Sequence, residues 1–420
     1  MYEWFLIIAL FTGAFIILLF FVLEKHPSEL FRNSRQKKGH LEDIVHSLKS
    51  TTLAMRTSRS STPTFKAMWR VQNPFVSDSI ELQLAYRRTL IKHMSKTDQR
   101  AWVDIASAVA GSLDPLLDWR LNSSGTCTIA ANVRDISMLP SLAALMKALF
   151  NINDIPVEKS SYIAHEIHRI TVEGKACSKG DSSKFLQDVQ EPVGRLVECL
   201  CGLFSGVKAP TEVTERLLHT VSGTPEDFNP LDILLPAFEA PWRGVFYTML
   251  AILQTGPQKP DYVLALRDCP ADQSPTPMAL AIIYESFRLY PPFRRVARPN
   301  PIDIESIQRS PVYWGEDVLK FHPERFLTEN GQIRSSLIEP ESSAWMPFAL
   351  GSMKCPTARG YSVRLMVLVV GEILRKLFPG PGRPQWYLLG SEWDAAARRG
   401  DVLRAGREHY STVDLVSYHA

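Results

Sequence analysis

One cysteine of this chain sits where a thiol can be put to use. The stretch Trp345-Met346-Pro347-Phe348-Ala349-Leu350-Gly351-Ser352-Met353-Lys354-Cys355-Pro356 is a Pro- and Gly-containing loop ending on that cysteine, and an amphipathic helix is expected at 357–378. The first turn of a helix carries unpaired N–H groups and the positive end of the helix dipole. Both lower a thiol pKa and stabilise a thiolate, which can act as a nucleophile or an iron ligand. The same pattern also suits a small apolar residue buried at a loop–helix junction. A second candidate is charged. Glu285 and Arg288, three apart, share one face of an expected helix at 277–290, among Ala281, Ile282, Ile283 and Phe287. On a solvated helix such a pair is worth about 0.3 kcal/mol. In so apolar a setting it needs a well-formed bidentate geometry, because burial is otherwise costly. Further along lies Phe321-His322-Pro323-Glu324-Arg325-Phe326. A third candidate is the run 231–254, interrupted by Pro236 and Pro241 and carrying Glu239 and Ala240. A kinked core helix explains that run equally well. His165-Glu166-Ile167-His168 has one residue too few for two histidines to share a zinc-binding helix face, and it is read as a surface cluster.

The elements that hold these residues can be read from punctuation and periodicity. Thr276 can cap the 277–290 helix, Pro277 suits its first position, and Pro291-Pro292 ends it. In the last helix Val363, Met366, Val367, Val370, Leu374 and Leu377 recur at the spacing of a buried face. Leu142–Phe150 and Gly194–Phe204 read as further helical pieces, and few stretches alternate as strands do. The picture is a mainly helical domain at 66–420, preceded by a basic, Ser/Thr-rich linker at 24–65.

The chain starts with a different signal. Trp4 to Leu23 is twenty residues without a charge, about 30 Å as a helix, which matches the hydrocarbon thickness of a bilayer. The run has no basic start and no small-residue cleavage site, so an uncleaved anchor at 1–23 is expected rather than a signal peptide. Lys25, Arg32, Arg35, Lys37 and Lys38 outnumber Glu24 and Glu29 on its C-terminal flank, which places the rest of the chain in the cytosol. Six cysteines in 420 residues, none in C-x-x-C spacing, exclude a disulfide-dense scaffold and suit a reducing compartment. A net charge of +3 gives no reason to expect a nucleic-acid partner. The formal sequon at Asn122-Ser123-Ser124 is expected to stay unused on the cytosolic side.

A Glu-x-x-Arg helix, then Pro-Glu-Arg-Phe, then Phe-x-x-Gly-x-x-x-Cys, in that order within 285–355, resembles the cytochrome P450 superfamily of haem-thiolate enzymes. The resemblance implies an α+β fold, mainly α with small β-sheets. It implies haem b with Cys355 as the axial thiolate ligand of the iron. Glu285, Arg288 and Arg325 are implied to form a buried structural triad, and Phe348 and Gly351 to shape the loop under the haem. The Leu234–Arg243 run is similar to the distal helix of divergent fungal members, with Glu239 as its acid. Ala240 stands where a threonine is expected, and alanine can relay no proton. Other departures are Met353 where a propionate-facing arginine or histidine is usual, Thr357 for a glycine, and a short Arg298–Val312 segment where sheet is expected. Trp102 is a candidate for the propionate-binding helix.

The resemblance implies a membrane-anchored monooxygenase of the endoplasmic reticulum, single-pass, oxidising a hydrophobic small molecule in fungal secondary metabolism. No G-x-G-x-x-G nicotinamide fingerprint occurs, so electrons are expected from an NADPH-cytochrome P450 reductase. Lys354, Arg359 and Arg364 offer a basic docking surface or simply a solvated helix face. Two other readings stand beside it. Ala240 motivates a haem-thiolate isomerase or dehydratase that uses no O2, and the eroded loop motivates a non-catalytic interaction protein.

Overall fold

The computed structural model describes residues 42–43, 62–72, 76–77, 79–121, 127–177, 183–204, 229–255, 258–296, 302–339, 344–349, 354–358, 360–380, 384–391, 393, 402–404 and 409–419. The chain divides into two compact units, Met1–Ser50 and Thr51–Ala420. The anchor expected at 1–23 and most of the 24–65 linker lie outside the described residues. Among the described residues no helix is long and apolar enough to cross a membrane.

Helices dominate the second unit. The first, α1 (Thr62–Trp69), opens inside the segment expected to be linker, with Pro63 in its first turn, where a fixed φ favours helix. Next come α2 (Ile80–Lys96) and α3 (Gln99–Leu113). Ser79 and Asp98 start them by accepting the N–H groups of Leu82 and Ala101. Asn132 caps α4 (Val133–Phe150) in the same way, and left-handed Asn151, φ +57°, ends it. The chain continues through α5 (Val157–Cys177), α6 (Gln190–Phe204), α7 (Leu231–Thr255), α8 (Asp261–Arg267) and α9 (Pro277–Leu289), and its last long helix is α10 (Tyr361–Leu377).

Two helices form the centre. Residues 136–146 of α4 and 242–253 of α7 are buried on every side. A helix apolar all round belongs in the middle of a core, and α7 packs against α4, α9 and α10. Gly371 of α10 lets that helix approach α8 closely, since a Cβ there would lie 2.8 Å from the Leu266 carbonyl oxygen.

The larger sheet has the order β1-β2-β6-β5, all antiparallel. It joins β1 (Asp118–Leu121) and β2 (Cys127–Asn132) to β5 (Gln385–Leu389) and β6 (Asp414–His419). The segment after α9 holds a minimal ladder, β3 (Arg295–Val296) on β4 (Ile302–Asp303). The short Arg298–Val312 stretch therefore does carry sheet, in its smallest form. The architecture is mainly α with small β-sheets.

Candidate functional site

The site is anchored on α9. Thr276 accepts the Ala279 N–H, Pro277 takes the first position, and Tyr290 closes the helix. Glu285 and Arg288 are both fully buried. Arg288 donates bidentately to Glu285, Nε to Oε2 at 2.6 Å and Nη2 to Oε1 at 2.8 Å. Arg325 Nε and the His322 N–H also donate to Oε1, at 3.1 and 2.9 Å. Two further N–H groups of Arg288 reach the carbonyls of Gln308 (2.9 Å) and Val318 (2.7 Å). The structure thus gathers Glu285, Arg288 and Arg325 at one carboxylate, with every acceptor oxygen used. This is what a buried charge pair requires to persist.

The network extends to the cysteine loop. Gln308 donates to the Phe287 carbonyl (3.1 Å) and accepts the Met346 N–H (2.9 Å). Trp345 Nε1 donates to the Tyr284 carbonyl at 3.0 Å. Phe348 packs edge-on against Phe287 and Trp345, with centroids 5.3 and 5.9 Å away. The Cys355 N–H donates to the Phe348 carbonyl at 2.9 Å. The loop is therefore pinned to α9 through Trp345 and Phe348, and the Cys355 end is tied back to Phe348. Gly351 lies outside the described residues.

The start of the following helix differs from expectation. Cys355 leads into a 3-10 turn, Pro356–Ala358, and the α-helix opens only at Tyr361, after Gly360 at φ +100°. That left-handed glycine breaks helical continuity, so the cysteine precedes the helix by a turn rather than capping it. The sulfur instead meets the hydroxyl of Thr357 at 3.0 Å. Helix α2 packs on this 3-10 turn. Its buried Tyr86 phenol has its pKa pushed up by burial, then by the charges of Asp232 and Cys355.

No protein-family model matches the chain. Two solved structures resemble it with a TM-score of 0.49 each: a six-coordinated cytochrome P450 from Thermus thermophilus, 16% identical, and CYP175A1 from a second strain of the same organism, 17% identical. Each covers 76% of this chain, and the likeness extends over 79% and 77% of the respective structures. A curated relative, the cytochrome P450 monooxygenase xanG of Aspergillus fumigatus, is 29% identical over 121 residues. The match spans 24% of this chain and 22% of that relative. All three of these proteins are cytochromes P450, and the sequence match to the curated relative covers about a quarter of each chain.

Cytochromes P450 use haem with a cysteine thiolate axial ligand. The surroundings of Cys355 fit such a group. Among the described residues no cluster of three His, Cys, Asp or Glu side chains could hold a bare metal ion. A macrocycle brings four nitrogens of its own and asks the protein for one axial ligand. Cys355 is half-buried and unpaired with another cysteine, on a loop bounded by aromatic rings.

Helix α7 carries the distal candidates. Pro236 and Pro241 both lie inside it, each removing one backbone hydrogen bond. Ala240 has no polar group to offer. Farther along α7, Thr248 is fully buried and bonded to the Gly244 carbonyl and Ser286 Oγ, both at 2.7 Å. Glu239 accepts from Trp242 Nε1 at 3.3 Å and lies 3.8 Å from His168 Nδ1. His168 is only 2% exposed and meets Trp242 edge-on at 5.1 Å. The surface-cluster reading of 165–168 is therefore half wrong. His165 faces outward to Asp135 (3.0 Å), whereas His168 turns into the core beside Glu239. Helical spacing carried the signal, because residues three apart on α5 point about 60° apart, and 167, 168 and 171 form its buried face.

Trp102 lies between α3 and α10, 5.0 Å from the Tyr361 ring and under the Arg364 guanidinium at 4.5 Å. Arg364 is thereby drawn inward, where burial pushes its pKa down, and it donates to the Ala271 carbonyl. It does not belong to an open basic face, and Arg359 lies outside the described residues. Exposed Arg88, Lys92 and Lys96 instead form a stripe at four-residue spacing on α2, the helix packed on the cysteine turn. A groove of about 700 Å³ near Asp104, Lys147 and Asp154 includes none of the residues above and belongs to a different part of the domain.

Proposed function

We propose that this chain is a cytochrome P450, a membrane-anchored haem monooxygenase acting on a hydrophobic small molecule in secondary-metabolite biosynthesis. The observation that carries the reading is the continuous hydrogen-bonded path from the Glu285–Arg288–Arg325 network through Gln308 to the loop presenting Cys355. When bound, haem supplies the activation of O2 and the transfer of one oxygen atom to carbon. Cys355 would hold that group by its sulfur, and the Thr357 hydroxyl, donating to the thiolate, would temper the sulfur's electron density. Phe348 and Trp345 fix the loop. Glu239 is the distal acid, and His168 and Trp242 orient its carboxylate. An NADPH-cytochrome P450 reductase is the electron donor, and the Arg88–Lys92–Lys96 stripe beside the cysteine turn suits an acidic partner. The 4–23 run anchors the chain in the endoplasmic reticulum membrane, with membrane lipid as its surroundings and the catalytic domain in the cytosol.

The reduced protein under carbon monoxide should show the long-wavelength Soret band of a thiolate-ligated haem, and Cys355→Ala should lose it. Normal haem content without that band rejects the assignment. Ala240 favours one second reading, an isomerase or dehydratase working on an already oxidised substrate. Turnover without NADPH or O2 selects that reading, and strict dependence on both removes it. Failure to bind haem at all selects a non-catalytic interaction protein.

A further inference from the structure

Orienting Glu239 uses only part of what His168 offers. His168 is buried and turns from α5 toward α7, where its Nδ1 lies 3.8 Å from Glu239 Oε1. Trp242 ties the two together. Its Nε1 donates to Glu239 Oε1 at 3.3 Å, and its ring meets the His168 ring edge-on at 5.1 Å. One indole, three residues beyond the acid on α7, thus holds a carboxylate and an imidazole against each other. Glu239 is itself only 17% exposed, so the pair is not a solvated surface contact.

Helix α7 has no alcohol of its own beside that acid. Position 240 is alanine. Thr248, farther along, commits its hydroxyl to the Gly244 carbonyl and Ser286 Oγ. A carboxylic acid that gives up a proton needs a neighbour to restore it. Imidazole suits that task near neutral pH, because it takes a proton at one ring nitrogen and releases one from the other. A 3.8 Å separation is wider than a hydrogen bond, but catalytic hydrogen bonds are often long before a ligand is bound and tighten afterwards. Other charged groups on the neighbouring helices have partners of their own. On α5, His165 meets Asp135, and Arg169 pairs with Glu166 and Glu173. On α7, Arg243 donates to the Pro292 carbonyl, and Asp232 accepts the Gln72 N–H. On α4 and α6, Lys147 donates to Asn151 and Arg195 to Glu191.

We propose that His168 is the proton relay of Glu239, the imidazole of α5 taking the place of the hydroxyl that α7 lacks at Ala240. The inference rests on the haem-thiolate reading, which makes α7 the distal helix. His168 acts through Glu239, as a positioning residue that also holds the proton. When a ligand oxygen takes up a proton, that proton comes from the Glu239 carboxyl. The Nδ1 proton of His168 refills Glu239 in the same motion, and solvent recharges the ring. No electrons move in this step.

The test uses the full chain loaded with haem, as wild type, Glu239→Gln and His168→Gln, with hydrogen cyanide as the probe. This weak acid binds ferric iron as its anion, so its proton must pass to the protein by the same route run backwards. Association at neutral pH is followed by the haem absorbance. Glu239→Gln should slow it by about tenfold or more. His168→Gln should slow it as much, because glutamine still donates a hydrogen bond to the carboxylate but carries no proton. A His168→Gln variant at the wild-type rate shows that the ring only orients the acid, and it overturns the proposal. An unaffected Glu239→Gln overturns it too. Should His168→Gln fail to fold, the wild-type rate is plotted against the deuterium fraction of the solvent. The plot should bow, as two protons moving together require; a straight line, the mark of one proton, overturns the relay. The carbon monoxide spectrum of wild type is read separately. A missing thiolate band sinks the haem-thiolate reading, whereas a normal band with unchanged cyanide rates sinks only the relay.

Discussion

Substituting Glu285 by Gln probes the network under the site with little change in shape. Glutamine keeps one oxygen to accept the His322 and Arg325 N–H groups, but it removes the charge facing Arg288. Arg288 is fully buried, and its other hydrogen bonds go only to carbonyls. Removing one partner of a buried ion pair costs about 3–5 kcal/mol, because the other charge remains uncompensated. Against a total stability of about 5–15 kcal/mol this is a large fraction. At about 2 °C per kcal/mol for a large domain, melting should drop by about 6–10 °C. Arg325→Gln is the internal comparison. Arg325 also faces Asp317, and its loss leaves the bidentate Glu285–Arg288 pair intact, so about 1–2 kcal/mol is expected, the worth of a charge-assisted hydrogen bond. Near-UV circular dichroism melts of the three proteins, with haem content measured alongside, give both values. Melting of Glu285→Gln within about 1 °C of wild type, or below Arg325→Gln by less than the error of the melt, refutes the reasoning about burial.

Thr357→Val should keep the thiolate band but lower the reduction potential by about 60 mV, since a hydrogen bond of about 1.4 kcal/mol to the sulfur is lost; a redox titration with no shift contradicts that bond. Gly371→Ala should destabilise by about 1–3 kcal/mol, because the Cβ collides with the Leu266 carbonyl oxygen rather than with a movable side chain; equal urea midpoints would show that α8 and α10 separate freely. The His165 pKa is raised by its hydrogen bond to Asp135, with burial opposing and the Ser161 carbonyl assisting. A folded-state pKa above the unfolded one gives stability that is full below about pH 6.5 and is lost as pH rises through the folded value. Asp135→Asn should therefore destabilise at about pH 5–6 and converge on wild type by about pH 9, by well under about 1 kcal/mol for so exposed a pair. A stability difference that is the same at both pH values contradicts it.

Local chemistry made much of this site readable before any fold was known. Thr276, Pro277 and Pro291 bound α9 by rules that act within one turn, and the i,i+3 spacing of Glu285 and Arg288 guarantees a shared face. Helix α7 runs to Thr255, one residue beyond its expected end, because its apolar composition leaves no other environment for it. What stayed hidden depends on distance along the chain. Nothing in Cys127–Asn132 announces that its partner is Asp414–His419, since antiparallel pairing between distant strands is chosen by packing. The delayed start of α10 turns on one glycine conformation, φ +100° at Gly360, which sequence permits but does not require. The burial of His168 beside Glu239 emerges only when α5 and α7 come together.

The central claim is a bond between one sulfur and one iron. X-ray absorption at the iron edge of the haem-loaded full chain tests it directly. The account predicts four in-plane nitrogen neighbours and one sulfur neighbour, with the sulfur lost in Cys355→Ala. An iron surrounded only by nitrogen and oxygen in the wild-type protein contradicts it.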